Sequence, residues 1–298
     1  EEVVIKFIKS SNAITFKKEV NKMKKWLKIL LIFTPKLRRV GNPMALLNHV
    51  SDYTLRELDL TNEIKGASEL EEIKNNVSSN FPMELLRFPK YYENLSNKDI
   101  LVSEFIVGES LEDGIKNKSL SWEKLLQLFR IHGAYLFGIG TFHGDLHPGN
   151  CIIDENGKFV FIDNGAICYA PKHINNALFK FFEHLSKQEM ESAFDSLLGM
   201  SDYNIEGKRL QKYKSEMRKI YTGFESKPVG EQSLTRIMME TVKTAVTVAK
   251  AEFGEEAFPI IRALMYLDGL VIRTHPDVVL IKSMKPYLIE FKNGLNIE

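Results

Sequence analysis

The sequence predicts an α+β fold in which a sheet-bearing N-terminal part and a helical C-terminal part enclose a ligand cleft, and three observations favour it. Val, Ile and Phe residues cluster at 3–9, which is typical of a strand. An Asn-Gly turn joins two short apolar runs at 151–162, which predicts a hairpin. From Pro171 onward, apolar residues recur at helical spacing. We therefore expect one lobe over residues 1–106 and a second over 107–298.

The N-terminal part continues with two helical segments and a second strand. Helical spacing of apolar residues predicts helices over 14–33 and about 44–73, separated by a loop that contains Pro and Gly. An apolar run predicts a strand over 100–106, which Gly108 ends. Ser110 can then cap a short helix.

The C-terminal part is helical around a single hairpin. A periodic apolar pattern predicts a helix over 121–139, just before the hairpin. After the hairpin the same pattern predicts four more helices, over about 174–199, 205–222, 232–252 and 256–272.

Composition narrows the classes of protein. The 298 residues are 44% hydrophobic and 27% charged, as in ordinary globular proteins, and the length suits one large or two modest domains. A net charge of +1 gives no overall attraction to nucleic acid, so we expect no nucleic-acid partner. Cys151 and Cys168 cannot form a disulfide framework and match no zinc spacing, which favours a reducing compartment.

The sequence also bears on location. No apolar run reaches the roughly 18 residues of a membrane span, and no signal peptide is visible. We expect a cytoplasmic or peripheral membrane protein. The chain begins within a strand and without an initiator Met, so we expect its N-terminal lobe to be incomplete.

One segment, residues 16–39, is a candidate for contact with a membrane. It carries nine lysine and arginine residues against the single acid Glu19, interleaved with Trp, Leu, Ile and Phe. A basic helix with such residues can lie in a membrane interface. Alternatively, its apolar stripe belongs to the core of the lobe and its lysines are simply solvated.

A loop with the spacing of phosphotransfer enzymes follows the helix over 121–139. Its residues are His143-Gly144-Asp145-Leu146-His147-Pro148-Gly149-Asn150. In the kinase pattern H-R-D-L-x-x-x-N, the Asp accepts the proton of the substrate and the Asn binds a metal. We therefore assign Asp145 and His143 to the catalytic residues and Asn150 to the metal ligands.

Asp163 completes this arrangement. It comes 13 residues after Asn150, in Ile162-Asp163-Asn164-Gly165, and the hairpin between them returns the chain to the same place. An amide and a carboxylate oxygen from adjacent strand ends suit Mg²⁺. Either segment alone would be an ordinary turn, but the two together at this spacing favour a metal site.

Lys6 lies on one face of the first predicted strand with Val4 and Ile8. A lysine in that setting either extends to solvent at the edge or pairs with another group, and the downstream motifs favour a contact with phosphates. A partner carboxylate can come from the acidic run Glu57 to Glu63. Asp59 and Glu63 are four apart and share a helical face, whereas Glu57 points about 120° away. A solvated acidic face is the alternative.

These residues resemble the UbiB/ADCK family of atypical kinases over nearly the whole chain. Aminoglycoside and choline phosphotransferases use similar H-G-D-x-x-x-x-N loops, and the Glu-x-Asp motif favours UbiB/ADCK over them. The matching segments are Val3-Val4-Ile5-Lys6, Pro35-Lys36-Leu37-Arg38-Arg39-Val40-Gly41, Glu57-Leu58-Asp59 with Glu63, Phe142 to Asn150 including His147, and Ile162-Asp163-Asn164-Gly165.

The resemblance implies roles for these residues in a two-lobed protein-kinase-like fold. Lys6 would contact the phosphates of ATP or ADP and pair with Glu63, and Asp145 would be the general base or orient water. Asn150 and Asp163 would hold Mg²⁺. The backbone of Glu104 and Ile106 would meet adenine at the hinge between the lobes, with Ser103 as gatekeeper.

The chain departs from the pattern at three places. The family's N-terminal Lys-x-Gly-Gln helix, whose lysine contacts the residue equivalent to Glu57, and the phosphate-covering loop are not in this sequence. Asn164 replaces the aromatic residue of Asp-Phe-Gly, which removes an apolar contact. Gly144 occupies the position at which many protein kinases have an Arg that binds a phosphate on the activation loop. We therefore expect no control by phosphorylation of an activation loop.

Three functions are compatible with these motifs. The first is an ATPase or small-molecule kinase that supports ubiquinone or other isoprenoid lipid metabolism, with a lipid or quinone precursor as ligand. The second is a small-molecule phosphotransferase of the aminoglycoside or choline type. The third is a pseudokinase fragment that holds nucleotide without turnover.

Overall fold

A computed structural model describes residues 2–8, 11–33, 43–77, 80–201, 204–254, 257–295 and 297. Within these ranges, eight short strands form three small sheets: β1 Val3–Phe7, β2 Leu86–Arg87, β3 Ile100–Glu104, β4 Gly108–Ser110, β5 Thr141–His143, β6 Cys151–Asp154, β7 Phe159–Phe161 and β8 Ile167–Tyr169. The α-helices in this part of the chain are α1 Ser11–Phe33, α2 Pro43–Glu57, α3 Thr61–Val77, α4 Leu111–Asn117, α5 Trp122–Gly133, α6 Lys172–Ser186, α7 Met190–Leu198, α8 Gly207–Ile220, α9 Leu234–Thr244, α10 Ala257–Thr274 and α11 Leu280–Gly294.

The N-terminal part is built on the antiparallel pair β1–β3, in which Lys6 stands opposite Leu101. The single helix predicted over 44–73 is instead two helices, α2 and α3. Asp59 separates them, because its Oδ1 accepts hydrogen bonds from the amide and the hydroxyl of Thr61 at 3.1 Å and 2.7 Å. Such a side chain begins a helix rather than continuing one. The expectation that Asp59 and Glu63 share a helical face was therefore wrong.

The centre of the molecule contains the predicted hairpin. β6 and β7 pair antiparallel around the Asn-Gly turn, and β2 and β4 flank them in the order β2-β7-β6-β4. β5 pairs antiparallel with β8, which places Gly144, just after β5, beside Ala166, just before β8. Ser110 caps α4 through the amide of Asp113, as predicted.

The C-terminal part is helical, with two differences from the prediction. The segment over 174–199 is divided into α6 and α7 by a turn in which Gln188 has a φ of +63°. Helix α11 was not predicted at all, and Pro286 lies inside it. Proline lacks a backbone N–H donor and disfavours helix interiors, so its presence obscured the pattern.

The core runs from the hairpin into the helical part. Its largest fully buried side chains are aromatic, and several of them pack edge to face, as Phe137 does on Phe182. By contrast, Ile5 and Phe7 on β1 are exposed, because β1 has only β3 as a neighbour among the described strands. Within the described residues, no helix has the length and apolar character needed to cross a bilayer.

Candidate active site

One lysine and two carboxylates meet at β1. Lys6 Nζ lies 2.5 Å from Glu63 Oε1 and 3.0 Å from Asp163 Oδ1. The ion pair that the sequence predicted between Lys6 and Glu63 is therefore present. The Glu63 side chain is 8% exposed, whereas those of Lys6 and Asp163 are 42% and 41% exposed. The cluster is closed behind Glu63 and open to solvent at the lysine and the aspartate.

The electrostatics of this cluster keep the lysine charged. Burial alone would lower the pKa of Lys6, but the carboxylates of Glu63 and Asp163 raise that pKa above its usual value. Burial raises the pKa of Glu63, and the positive charge of Lys6 only partly offsets this. Glu57, exposed at the end of α2, adds a small increase through its negative charge. Lys6 is held as a cation, the state that binds phosphate oxygens.

Helix α3 brings Glu63 to the site by packing directly on the Asp163 segment. Gly66 makes this approach possible, since a Cβ on it would lie 2.0 Å from the Asn164 carbonyl oxygen and 2.8 Å from the Ile167 side chain. A Cβ on Gly165 would lie 3.4 Å from Glu63 Cγ. The helix that carries the carboxylate and the loop that carries the aspartate therefore form one packed unit.

Asp163 adopts a conformation that is unusual for its residue type. Its φ is +57°, in the left-handed region. The neighbouring Asn164 is completely buried, and its Nδ2 donates to the Phe161 carbonyl at 2.8 Å and to the Tyr91 hydroxyl at 3.2 Å. The aromatic packing contact predicted to be missing is thus replaced by two hydrogen bonds. These bonds anchor the segment in which Asp163 turns toward Lys6.

The catalytic loop is held by His143, which was predicted as a catalytic residue. His143 is 1% exposed, and both of its ring nitrogens bond to backbone groups. Its Nδ1 accepts from the amide of Asp145 at 3.2 Å, and its Nε2 lies 3.2 Å from the Ile162 carbonyl, which it reaches as a donor. Burial lowers the pKa of His143 and favours this neutral form. Because His143 is enclosed in this way, it cannot contact substrate. We therefore correct its role from a catalytic residue to one that positions the catalytic loop.

Gly144 has a steric reason to lack a side chain. Its amide donates to the Ala166 carbonyl at 2.7 Å, where β5 and β8 run together. A Cβ at this position would lie 2.2 Å from Cys168 Sγ. The arginine that many protein kinases carry here would not fit between these strands.

Asn150 lies beside both the catalytic loop and the Asp163 segment. Its Nδ2 donates to the Asp145 carbonyl at 3.0 Å, and its own backbone carbonyl accepts from the amide of Ile162 at 3.0 Å. The side-chain oxygen of Asn150 is therefore the atom left to ligate a metal. No cluster of three or more His, Cys, Asp or Glu suited to a metal occurs in the described part of the chain. A metal here would take Asn150 and Asp163 plus oxygens from outside the protein, the pattern typical of Mg²⁺.

Tyr266 is a site residue that the sequence analysis missed. It lies on α10, and its hydroxyl donates to Asp145 Oδ1 at 2.8 Å. Its ring meets that of His147 edge to face, with centroids 6.1 Å apart. His147 Nδ1 in turn accepts from the amide of Gly149 at 3.0 Å. The contact joins residues 121 positions apart, and no motif in the sequence signals it.

The predicted hinge is tied to the hairpin by an arginine. The Glu104 amide donates to the Lys90 carbonyl at 2.8 Å, so a contact of Glu104 with adenine would use its carbonyl. Arg87 bridges the Glu104 carboxylate, at 3.1 Å, and the buried Asp154 of β6, at 2.7 Å. Ser103 stands opposite Val4 across the β1–β3 pair. Ile106, the second residue assigned to adenine, is buried after the end of β3.

This geometry defines a class of protein. A strand lysine paired with a helix glutamate, close to an Asp-containing hairpin end and a His-x-Asp loop, is the arrangement of the protein-kinase-like fold. Residues 1–197 match the family model described as ABC1 atypical kinase-like domain. The chain belongs to this family, which confirms the UbiB/ADCK resemblance.

Curated relatives give the same family. A protein of Histophilus somni named "Probable protein kinase UbiB" is 26% identical, and the similarity covers 99% of this chain and 54% of that protein. One of the same name from Vibrio vulnificus is 24% identical, with 98% of this chain and 53% of that protein covered. This chain thus spans about half the length of the curated relatives it matches.

A solved structure supports the fold. The complex of Rv3197 with erythromycin from Mycobacterium tuberculosis superposes with a TM-score of 0.53 at 17% identity. The similarity covers 92% of this chain and 71% of that one. The predicted two-lobed, protein-kinase-like α+β fold is confirmed.

Proposed function

We propose that this chain binds ATP or ADP with Mg²⁺ and acts as an atypical kinase or ATPase of the UbiB type. The observation that carries the proposal is the cluster of Lys6, Glu63 and Asp163, with Asn150 and Asp145 on the adjoining loop. The lysine is charged and solvent-accessible on one side, and the aspartate is directed toward it. Cation, carboxylate and amide are the groups that phosphate and Mg²⁺ require.

Each residue has a separate task in this proposal. Lys6, oriented by Glu63, binds phosphate oxygens. Asn150 and Asp163 are the ligands for Mg²⁺, which neutralises charge on the transferring phosphoryl group. Asp145 accepts the proton of the acceptor hydroxyl or orients water. Glu104 and Ile106 bind adenine through their backbones, beside Ser103.

Nucleotide binding is tested by thermal shift with ADP, with and without Mg²⁺. Mg²⁺ should strengthen the binding of ADP to the wild type, and Asp163→Ala should remove this dependence, because one remaining amide holds the metal poorly. Tyr169→Phe, which changes a contact with Glu69 away from the site, is the control. An identical metal response in Asp163→Ala and the wild type would refute the metal assignment.

Turnover is tested by ADP release. Asp145→Asn should lower it by ~10²–10⁴-fold while leaving the Kd for nucleotide nearly unchanged. Turnover equal to wild type in this variant would refute the role of Asp145. Binding without turnover in the wild type would favour the pseudokinase alternative. Turnover stimulated by aminoglycosides or choline, but not by lipid extracts, would favour the second alternative.

The substrate class rests on the family resemblance. We infer that the reaction supports ubiquinone or other isoprenoid lipid metabolism and that a lipid or quinone precursor is the ligand. The test compares ADP release with and without a quinone-precursor lipid extract, using an equal mass of polar lipid without quinone precursors as the control. Equal stimulation by both extracts would contradict a specific precursor.

We also propose that α1 contacts an anionic membrane surface. Val20 and Leu31 of this helix are buried, and α1 packs against α2. An apolar stripe at spacings of three, four and three residues remains exposed: Met23, Trp26, Leu30 and Phe33 are exposed by 55%, 66%, 48% and 79%. Six lysines and the single acid Glu19 accompany it. The remainder of the predicted segment, residues 34–39, lies outside the described residues.

The exposed apolar stripe and the lysines of α1 both fit a lipid interface. Apolar side chains enter the acyl boundary, and each lysine near an anionic surface contributes about 1 kcal/mol, screened by salt. Wild type should co-sediment with anionic vesicles at low salt and less at high salt. A variant with Lys22, Lys24, Lys25 and Lys28 changed to Gln should remain in the supernatant. Wild type in the supernatant at low salt, or equal pelleting of the variant, would contradict the proposal.

A further inference from the structure

The hinge segment, residues 105–107, is anchored at both ends to one buried aspartate. At its C-terminal end, Gly108 of β4 pairs with Asp154 of β6. A Cβ on Gly108 would lie 2.3 Å from a backbone oxygen of β6 and 2.9 Å from Asp154 Cα, so this approach requires glycine. At its N-terminal end, Arg87 joins the Glu104 carboxylate, at 3.1 Å, to the Asp154 carboxylate, at 2.7 Å. Asp154 therefore fixes both the start and the end of the hinge.

Asp154 is itself held firmly in the hairpin. Its Oδ1 accepts hydrogen bonds from the amides of Asn156 and Lys158 at 3.0 Å and 2.9 Å. Burial alone would raise the pKa of Asp154, but the bond from Arg87 and the two amides lower that pKa below its usual value. The carboxylate is thus charged at neutral pH and holds the Arg87 guanidinium against the hairpin.

The Glu104 carboxylate also shapes the backbone next to the hinge. The backbone of Glu104 lies opposite that of Lys90, and its amide donates to the Lys90 carbonyl at 2.8 Å. In a regular hydrogen-bonded antiparallel pair, the two residues exchange both backbone N–H···O bonds. Here the Lys90 amide donates to Glu104 Oε2, at 3.0 Å, which is also the atom that Arg87 contacts. The ion pair with Arg87 therefore bears on the geometry of the Glu104 carbonyl, the hinge group assigned to adenine.

The two common purine bases differ at the position that a hinge carbonyl meets. Adenine presents an amino group there, which donates a hydrogen bond, whereas guanine presents an oxygen, which accepts one. A carbonyl held in place accepts from adenine and repels guanine. A carbonyl that can move away from the base discriminates less, because specificity depends on the unfavourable contact as well as on the favourable one.

We propose that Arg87 is a positioning residue for recognition of the base: by linking the Glu104 carboxylate to Asp154, it holds the Glu104 carbonyl where it accepts from the amino group of adenine and repels the oxygen of guanine. The inference rests on the proposed function and deepens it, because it names a determinant of the choice of nucleotide. Binding of the phosphates, which involves Lys6 and the metal ligands, should not depend on Arg87.

Two variants interrupt the link at different points. Arg87→Gln removes the guanidinium and leaves the buried Asp154 without its cation, which lowers stability. Glu104→Ala is milder, because it keeps Arg87 on Asp154 and retains the backbone groups of the hinge. In either variant the Kd for ADP with Mg²⁺ should rise by about 3–10-fold, the factor that one net hydrogen bond represents. The Kd values for GDP and for pyrophosphate should change by less than about twofold, because neither donates to the carbonyl.

Arg130→Gln is the matched control. Arg130 also joins separate segments, since it binds the Glu290 carboxylate at 2.8 Å and the Pro82 carbonyl at 2.7 Å. Its side chain is 21% exposed, against 28% for Arg87. Its loss should lower the midpoint of thermal unfolding and leave the ratio of the Kd values for GDP and ADP as in the wild type. This ratio therefore separates positioning of the hinge from a general loss of stability.

Isothermal titration measures the Kd values, and thermal unfolding shows that each variant is folded. A ratio that stays at its wild-type value in Glu104→Ala, or in folded Arg87→Gln, would overturn the inference. Pyrophosphate binding that weakens as much as ADP binding would overturn it too, as would a wild type that binds ADP and GDP equally. If Arg87→Gln does not fold, Glu104→Ala alone decides. A wild type that binds neither ADP nor GDP would overturn the proposed function, and this inference with it.

Discussion

Substitution of Gly66 by Ala should separate the helix glutamate from the lysine and the aspartate of the site. The Cβ introduced on α3 would lie 2.0 Å from the Asn164 carbonyl oxygen, which is 1.4 Å short of the 3.4 Å at which ordinary van der Waals contact begins. The obstructing atom belongs to the backbone, so no side-chain rotation relieves it. Either α3 or the Asp163 segment must move by about an ångström.

Two opposing effects determine the size of the change. Replacing a helix glycine by alanine stabilises a helix by about 1 kcal/mol. Overpacking a tight interface costs typically 1–3 kcal/mol, and the contact with Ile167, at 2.8 Å, adds to it. We expect a net loss of roughly 1–2 kcal/mol in the free energy of unfolding. We also expect weaker nucleotide binding, because Lys6 loses the 2.5 Å contact with Glu63.

The chain offers a matched control at Gly269. It lies inside α10, and a Cβ built on it meets nothing within 4 Å. Gly269→Ala should therefore leave the protein as stable as wild type or slightly more stable. Urea unfolding and ADP titration of both variants test the argument. If Gly66→Ala matches Gly269→Ala in stability and binds ADP as wild type does, the packing of α3 on the Asp163 segment does not position Glu63.

Two further predictions concern the scaffold. Asp268 is fully buried and accepts hydrogen bonds from the amides of Leu234 and Thr235 at 3.0 Å and 2.8 Å. Asp268→Ala should lower the free energy of unfolding, measured in urea, by roughly 2–4 kcal/mol, because the amides at the start of α9 lose this acceptor. A loss below about 1 kcal/mol would contradict this prediction. Burial lowers the pKa of His132 to about 4, so the unfolded chain binds an extra proton between that value and about 6.5. The contribution of His132 to the free energy of unfolding should therefore be full above pH 6.5 and fall by roughly 3 kcal/mol toward pH 4. His132→Gln should remove this part of the pH dependence, and a variant whose stability depends on pH as the wild type's does would refute the prediction.

Local patterns were sufficient to predict the fold class and most elements. The hairpin followed from an Asn-Gly turn between apolar runs, and the Ser110 cap from a side chain that competes for backbone amides. Errors arose where one residue overrides a periodic pattern. Asp59 divides a helix by accepting hydrogen bonds from Thr61, two residues later. Pro286 conceals α11, although the helix tolerates it. Periodicity measures burial, and it does not register such single contacts.

The same distinction between local patterns and single tertiary contacts applies to the residues of the candidate site. Residues joined by short motifs were found, and the ion pair of Lys6 with Glu63 was expected across 57 positions because a known motif pattern links them. His143 was assigned to the right loop but to the wrong task, since a motif gives the position of a residue and not its exposure. Tyr266 was missed because its contact with Asp145 depends on how α10 packs, which only the tertiary structure determines.

Asn164 influences how freely the Asp163 segment can rearrange. An aromatic residue at this position packs without hydrogen bonds, and its movement can switch a kinase between states. Asn164 must instead break two hydrogen bonds to leave its buried position, at a cost of about 1–3 kcal/mol if each is worth 0.5–1.5 kcal/mol. Asp163 keeps its left-handed φ only while its surroundings enforce it, and Asn164, Gly66 and the ion pair with Lys6 all do so. These contacts therefore disfavour a flip of the Asp163 segment.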